Sequence, residues 1–363
     1  IMQNAIQHVF GVDRKDEKLV AEIQSINLKK MYALVARGAN VNFIDKNGAT
    51  PLFYASQHIT SRFVEDLIAL GADVTLAEKT KFSPLYIASQ KGLVQVVKVL
   101  LAHGASVDAT IETGYTALHR ASSGYSSDHH AVVQELLAHG ASVNCTDKKG
   151  NTPLHIASAN GYLENVKALL AHGAAINSTN AELIACGADI YTENQNSDTP
   201  MHLAAWSGHL DILEELMAHG LTIHAVNKFG NTPLHRASRN GKVEMVEFLV
   251  ARGAKVDGSN INGMTPLHQA SCKGHVDVVK ALLAHGAPID AANLSGDTAL
   301  HLAVKNGQVF PDQGHGATAN KTGKIKSPAA IYDGQVQVLQ VLLDAGAKSL
   351  LRNKARSIYL ALC

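Results

Sequence analysis

Apolar positions in this chain recur at helical spacing in short, paired bursts. In the stretch from Lys228 to Asp257, KFGNTPLHRASRNGKVEMVEFLVARGAKVD, Leu234, Ala237 and Ser238 fall on one side of a short helix that stops near Gly241. Val243, Val246, Leu249 and Val250 then mark a second helix. Thr232 followed by Pro233 is a helix start, a hydroxyl at the N-cap and a ring of suitable φ at the first helical position. Gly253 closes the second helix and Gly230 makes a tight turn ahead of the first. Two helices and a turn in about 30 residues cannot bury their own apolar faces, so each unit must be covered by a neighbour on either side.

Copies of the unit follow in phase. TPLF begins at Thr50, SPLY at Ser83, TALH at Thr116, TPLH at Thr152, TPMH at Thr199, TPLH at Thr232 and Thr265, and TALH at Thr298. The intervals are 33, 33, 36, 47, 33, 33 and 33 residues, and a closing glycine recurs at Gly38, Gly71, Gly104, Gly140, Gly173, Gly220, Gly253 and Gly286. This period and signature resemble the ankyrin repeat over roughly residues 12–350. The resemblance implies an all-α ankyrin-repeat solenoid of stacked helix–turn–helix units with hairpin-like fingers. It also implies a concave groove, formed by finger tips and first helices, that holds other proteins.

Departures from the period are informative. Residues 1–11 carry Ile6, Val9 and Phe10 at helical spacing and are expected to form a leading helix. The first repeat lacks the Thr-Pro start. Its charges, Asp13 to Lys18, suit the polar outer face of a capping repeat, while Leu19, Val20 and Ile23 fill its first helix and Leu28, Met31, Leu34 and Val35 its second. Three extra residues in SSGYSSDHH (122–130) are expected to lengthen a turn between helices. The array is irregular near 174–190, where only 14 residues separate Gly173 from Gly187. A deletion that bends the stack and a missing segment near Asn180 both account for it; the second is preferred, because a half-repeat leaves an apolar stripe open. An insert at 309–335, rich in Gly, Ala, Lys and Pro, reads as a loop, and residues 351–363 as a C-terminal cap or the start of a further segment.

Charge and chemistry narrow the function. A net charge of +1 gives no global field for nucleic acid. Cys145, Cys186, Cys272 and Cys363 lie far apart without a CxxC pair, so free thiols in a reducing compartment are expected rather than disulfides or zinc. No apolar run suits a membrane span and no signal-peptide pattern is present, which points to a cytoplasmic protein, or to a host cytoplasm for a delivered bacterial effector. His119, His155, His202, His235, His268 and His301 hold the last place of the motif, where the resemblance implies a ring bonded to the Thr hydroxyl and neighbouring backbone. Asn42, Asn144 and Asn177 resemble asparagines hydroxylated in other ankyrin proteins and otherwise read as turn formers. His129 and His130 are adjacent and point apart on a helix, which disfavours a shared metal. GHGATANKTGK (314–324) approaches a phosphate-binding loop but has His315 and Asn320 where glycines are needed. No catalytic motif stands outside the repeat phase, so neither an enzyme nor a cofactor or metal site is expected.

Function is therefore sought at places the repeat leaves free. Trp206, Phe229, Ile261, Met264 and Leu294 form a candidate apolar ridge, beside Arg236, Arg239, Lys273 and Lys305. A partner protein, or an acidic or amphipathic peptide, is the expected ligand of a protein that is monomeric on its own. Phe82, Lys91, Tyr115 and Arg120 make a weaker second candidate. The alternative is the substrate-targeting part of a larger enzyme or effector whose catalytic domain lies outside this chain.

Overall fold

The computed structural model describes residues 14–58, 60–76, 82–175, 198–307 and 329–348. Among the described residues there are eighteen α-helices and no strand. The chain divides into two compact units: the first holds described residues 14–157 and 162–175, the second 158–161 and 198–348. The expected leading helix (1–11), the irregular stretch beyond residue 175, Asn177, the phosphate-loop look-alike and residues 351–363 lie outside the described residues.

In the first unit, first and second helices alternate. They are α1 (Arg14–Gln24), α2 (Leu28–Ala36), α3 (Pro51–Ala55), α4 (Ser61–Ala69), α5 (Pro84–Lys91), α6 (Val94–Ala102), α7 (Ala117–Ser122) and α8 (Ser127–Ala138). α9 (Pro153–Asn160) crosses the division and α10 (Leu163–Ala171) follows. Two expectations are corrected here. The extra residues after Ser122 do not simply widen a turn: α8 has 12 residues where α6 has 9, because Ser126 caps a helix that starts a turn early. Asp16 is not on the outer face of the first repeat; it is buried, and its carboxylate accepts from the Asn40 amide at 2.7 Å.

The second unit continues with α11 (Pro200–Ser207), α12 (Leu210–Ala218), α13 (Pro233–Arg239), α14 (Val243–Ala251), α15 (Pro266–Lys273), α16 (Val276–Ala284), α17 (Ala299–Gly307) and α18 (Ala329–Asp344). First helices α11, α13, α15 and α17 pack in series, and so do second helices α14, α16 and α18. Leu234, Ala237 and Ser238 are buried as the period requires, and so are Val246 and Leu249 of the second-helix set, but Met245 completes the buried stripe of α14 in place of Val243 and Val250. Gly253 has φ +90°, the left-handed conformation that lets the chain leave α14.

α18 begins at Ala329, so the last residues of the 309–335 insert are helical and not loop. The composition that suggested a loop includes Gly334, whose role is close approach: a Cβ there would lie 2.8 Å from the Gly274 carbonyl oxygen.

Where the motif ends in histidine, as at His119, His202, His235 and His268, it is a cap and a tie at once. Thr232 Oγ1 accepts from the His235 amide at 3.4 Å, and His235 Nδ1 accepts from the Thr232 amide at 3.2 Å. That places the ring proton on Nε2, which donates to the Met264 carbonyl of the next repeat at 2.9 Å. His202 reaches Asn231 O and His268 reaches Asp297 O in the same way, as does His119 to Asn151 O in the first unit. Asn42 and Asn144 are bridges too: their side chains accept from the amides of Asp73 and Ala175 in the following repeat. His129 and His130 turn apart, to Gln90 O and to Asn165 Oδ1.

Candidate functional site

All nine candidate residues lie in the second unit, and the repeat register sorts them into two rows. Trp206, Arg239 and Lys305 share one place on the first helices, seven residues beyond Thr199, Thr232 and Thr298. In the repeat begun by Thr265 that place is held by Cys272, half-buried, so Lys273 sits one position further on and is exposed. Trp206 is half-buried, and Arg239, also half-buried, donates from Nη1 to Gln269 Oε1 at 2.9 Å. Lys305 is exposed.

Arg236 departs from its expected place among exposed cations. It is 8% exposed, with Nε donating to Asp198 Oδ1 at 2.9 Å and Nη2 paired to Asp198 Oδ2. Its guanidinium lies 5.5 Å from the centre of the Trp206 ring. The charge is met inside the protein, so Arg236 is a support for Trp206 rather than a free cation.

The second row is on the fingers. Asn227, Asn260 and Asn293 each build a turn by accepting, through Oδ1, from the amides two and four residues on. The turns are joined edge to edge: Ile261 N donates to Phe229 O and Leu294 N to Asn262 O, both at 3.0 Å. This fixes the Ile261 and Leu294 side chains in successive fingers at 56% and 62% exposure. Phe229 is half-buried with the Lys228 ammonium 5.0 Å over its ring. Met264 is half-buried and internally engaged, its sulfur accepting from Asn293 Nδ2 at 3.3 Å.

Two features escaped the sequence reading. Val226, 58% exposed at the base of a finger, was not among the candidates. The side-chain amides of Asn227, Asn260 and Asn293 step across to Asp198, Asn231 and Met264, making one rung per repeat. Three asparagines at one phase of successive repeats were the available signal.

Electrostatics set the ties apart from reactive groups. Burial pushes the imidazoles of His202, His235 and His268 below their ordinary range, His235 to about 4. In the first unit burial pushes the Cys145 thiol up to about 11, away from reactivity. Among the described residues no group of three or more His, Cys, Asp or Glu could hold a metal ion, and no helix is long and apolar enough to cross a membrane.

Comparison with known proteins agrees with this architecture. A family model described as ankyrin repeats (3 copies) matches residues 19–111, 58–128, 109–180, 181–260 and 255–310. No curated protein matches the chain. The chain is similar to the crystal structure of the human ASB11 ankyrin repeat domain, with a TM-score of 0.55 and 28% identity, over 74% of this chain and 99% of that one. The register that lines up Trp206 with Arg239 is thus a family register, matched from residue 19 to residue 310, and the chain belongs to the ankyrin-repeat family.

Proposed function

We propose that the second unit is a non-enzymatic module that binds a partner protein, or an acidic or amphipathic peptide, between its fingers and its first helices. Ankyrin repeats are in general protein-interaction modules, which supports the coarse reading. The observation that carries the finer one is charge. Arg239, Lys273 and Lys305 have no carboxylate partner among the described residues. Asp297 is the sole carboxylate in α11, α13, α15, α17 and the turns 227–231, 260–264 and 293–297, and it is buried. Exposed Ile261 and Leu294 add apolar anchors on the fingers.

The test is affinity capture from a cell lysate by wild type and by a Trp206→Ala/Arg239→Ala variant shown to be folded by circular dichroism. The variant is expected to lose the partner, with a Kd for the identified protein raised about tenfold or more. An unchanged set of partners would remove the site from the second unit.

A further inference from the structure

Two arginines occupy the same place, four residues beyond the first residue of a motif: Arg236 after Thr232 and Arg120 after Thr116. Their surroundings differ at one decisive position. The residue just ahead of the previous motif is Asp198 in the second unit, and it neutralises Arg236. In the first unit that place is held by Phe82. Arg120 is half-buried, and among the described residues its guanidinium has no ion pair and no hydrogen bond.

Aromatic residues hold the places around it in the repeat register. Tyr86, 5% exposed, stands where other motifs have the imidazole, and Tyr115 stands just ahead of Thr116. The Phe82 ring lies against Tyr86 at 5.1 Å between centroids, and Tyr115 against His119 at 5.2 Å. Neither phenol oxygen is bonded to another described residue, and neither is sealed in the core. The charge of Arg120 acts on both phenols, opposing the burial that raises their pKa. Nearby carboxylates are committed elsewhere or apart. Asp147 accepts from its own turn at Lys149 N and Asn151 N, Asp108 accepts from Ser142, and exposed Glu112 makes no ion pair.

We infer an anion subsite at Arg120, separate from the surface on the second unit, that takes the carboxylate or phosphate of a side chain on a bound peptide. The guanidinium fork supplies paired donors to the anion's oxygens, and the two phenols, close enough to feel the Arg120 charge, can add donors.

The full chain is titrated with benzoate, with phenyl phosphate and with neutral benzyl alcohol, following the ring resonances of Tyr86 and Tyr115 in wild type, Arg120→Gln and Arg120→Lys. Both anions are expected to give saturable shifts in wild type that the alcohol does not. Arg120→Gln raises Kd about tenfold, and Arg120→Lys falls between. The tighter anion identifies carboxylate or phosphate as the preferred group. Absence of a saturable shift, equal binding of the alcohol, or unchanged affinity in Arg120→Gln overturns the subsite and leaves the proposal for the second unit standing. A second measurement guards against a hidden structural role. The Tm of Arg120→Gln should stay within about 2 °C of wild type, and a larger fall would show that the cation is already in use.

Discussion

Arg236 and Arg239 are less than one helical turn apart, yet one is committed to the fold and the other is available. Arg236 closes on Asp198, 38 residues away in sequence, while Arg239 is held only by the neutral oxygen of Gln269. Replacing Arg236 by Gln leaves a buried carboxylate without its counter-charge and is expected to cost about 3 kcal/mol or more in urea unfolding. Arg239→Gln should cost less than about 1 kcal/mol, since it removes one partly exposed hydrogen bond. Equal losses for the two variants would contradict this division of roles. The sequence placed both arginines on one helix face, as charges at repeat-variable positions. It could not show that Asp198 reaches one of them, because that contact belongs to the stacking of two repeats and not to either alone.

At the scale of the element, the Thr-Pro-Leu-His start was legible because its parts are local: a cap, a ring and a backbone bond within three residues. Its pH consequence follows from burial. His202, His235 and His268 have folded pKa values below the unfolded value of 6.5, with His235 at about 4. Between these limits the unfolded chain binds more protons than the folded one. Their contribution is therefore complete above pH 6.5 and declines as pH falls toward 4, by on the order of 3 kcal/mol from His235 alone. The urea midpoint is expected to drop across this window, and His235→Gln should flatten the slope even though it is less stable at pH 7. Two elements were less legible. The start of α8 was hidden among serines that looked like turn formers, and α18 was masked by Gly334, whose absent side chain serves a contact rather than a bend.

At the scale of the molecule, the family could be read from the sequence because the motif recurs in phase, which no single helix pattern could provide. The candidate surface was legible only in outline. Register lines up Trp206, Arg239 and Lys305, but the exposure of Val226 and the burial of Arg236 are set by neighbours one repeat away. Stacking of this kind makes stability nearest-neighbour in character. Leu249→Ala, at a fully buried site in α14, is expected to cost about 2–5 kcal/mol. Its loss of amide hydrogen-exchange protection should be largest in α13 to α16 and smaller in α18. Uniform loss through the unit would show that it behaves as a single all-or-none body.

The asparagine rungs and imidazole ties carry a consequence for how such a chain can change in length. Each bond in the second unit that runs from Asn227 to Asp198, from Asn260 to Asn231 or from His235 to Met264 spans 29 residues and joins one repeat to the next. Excising residues 265–297, which are 33 in number, would bring Met264 directly before Thr298 and leave those three bonds intact. A shorter excision that cut into a finger or a helix would set the donors beside it opposite the wrong acceptors. Genetic duplication or loss of whole units therefore preserves this bonding, and the number of repeats can vary while each junction stays the same.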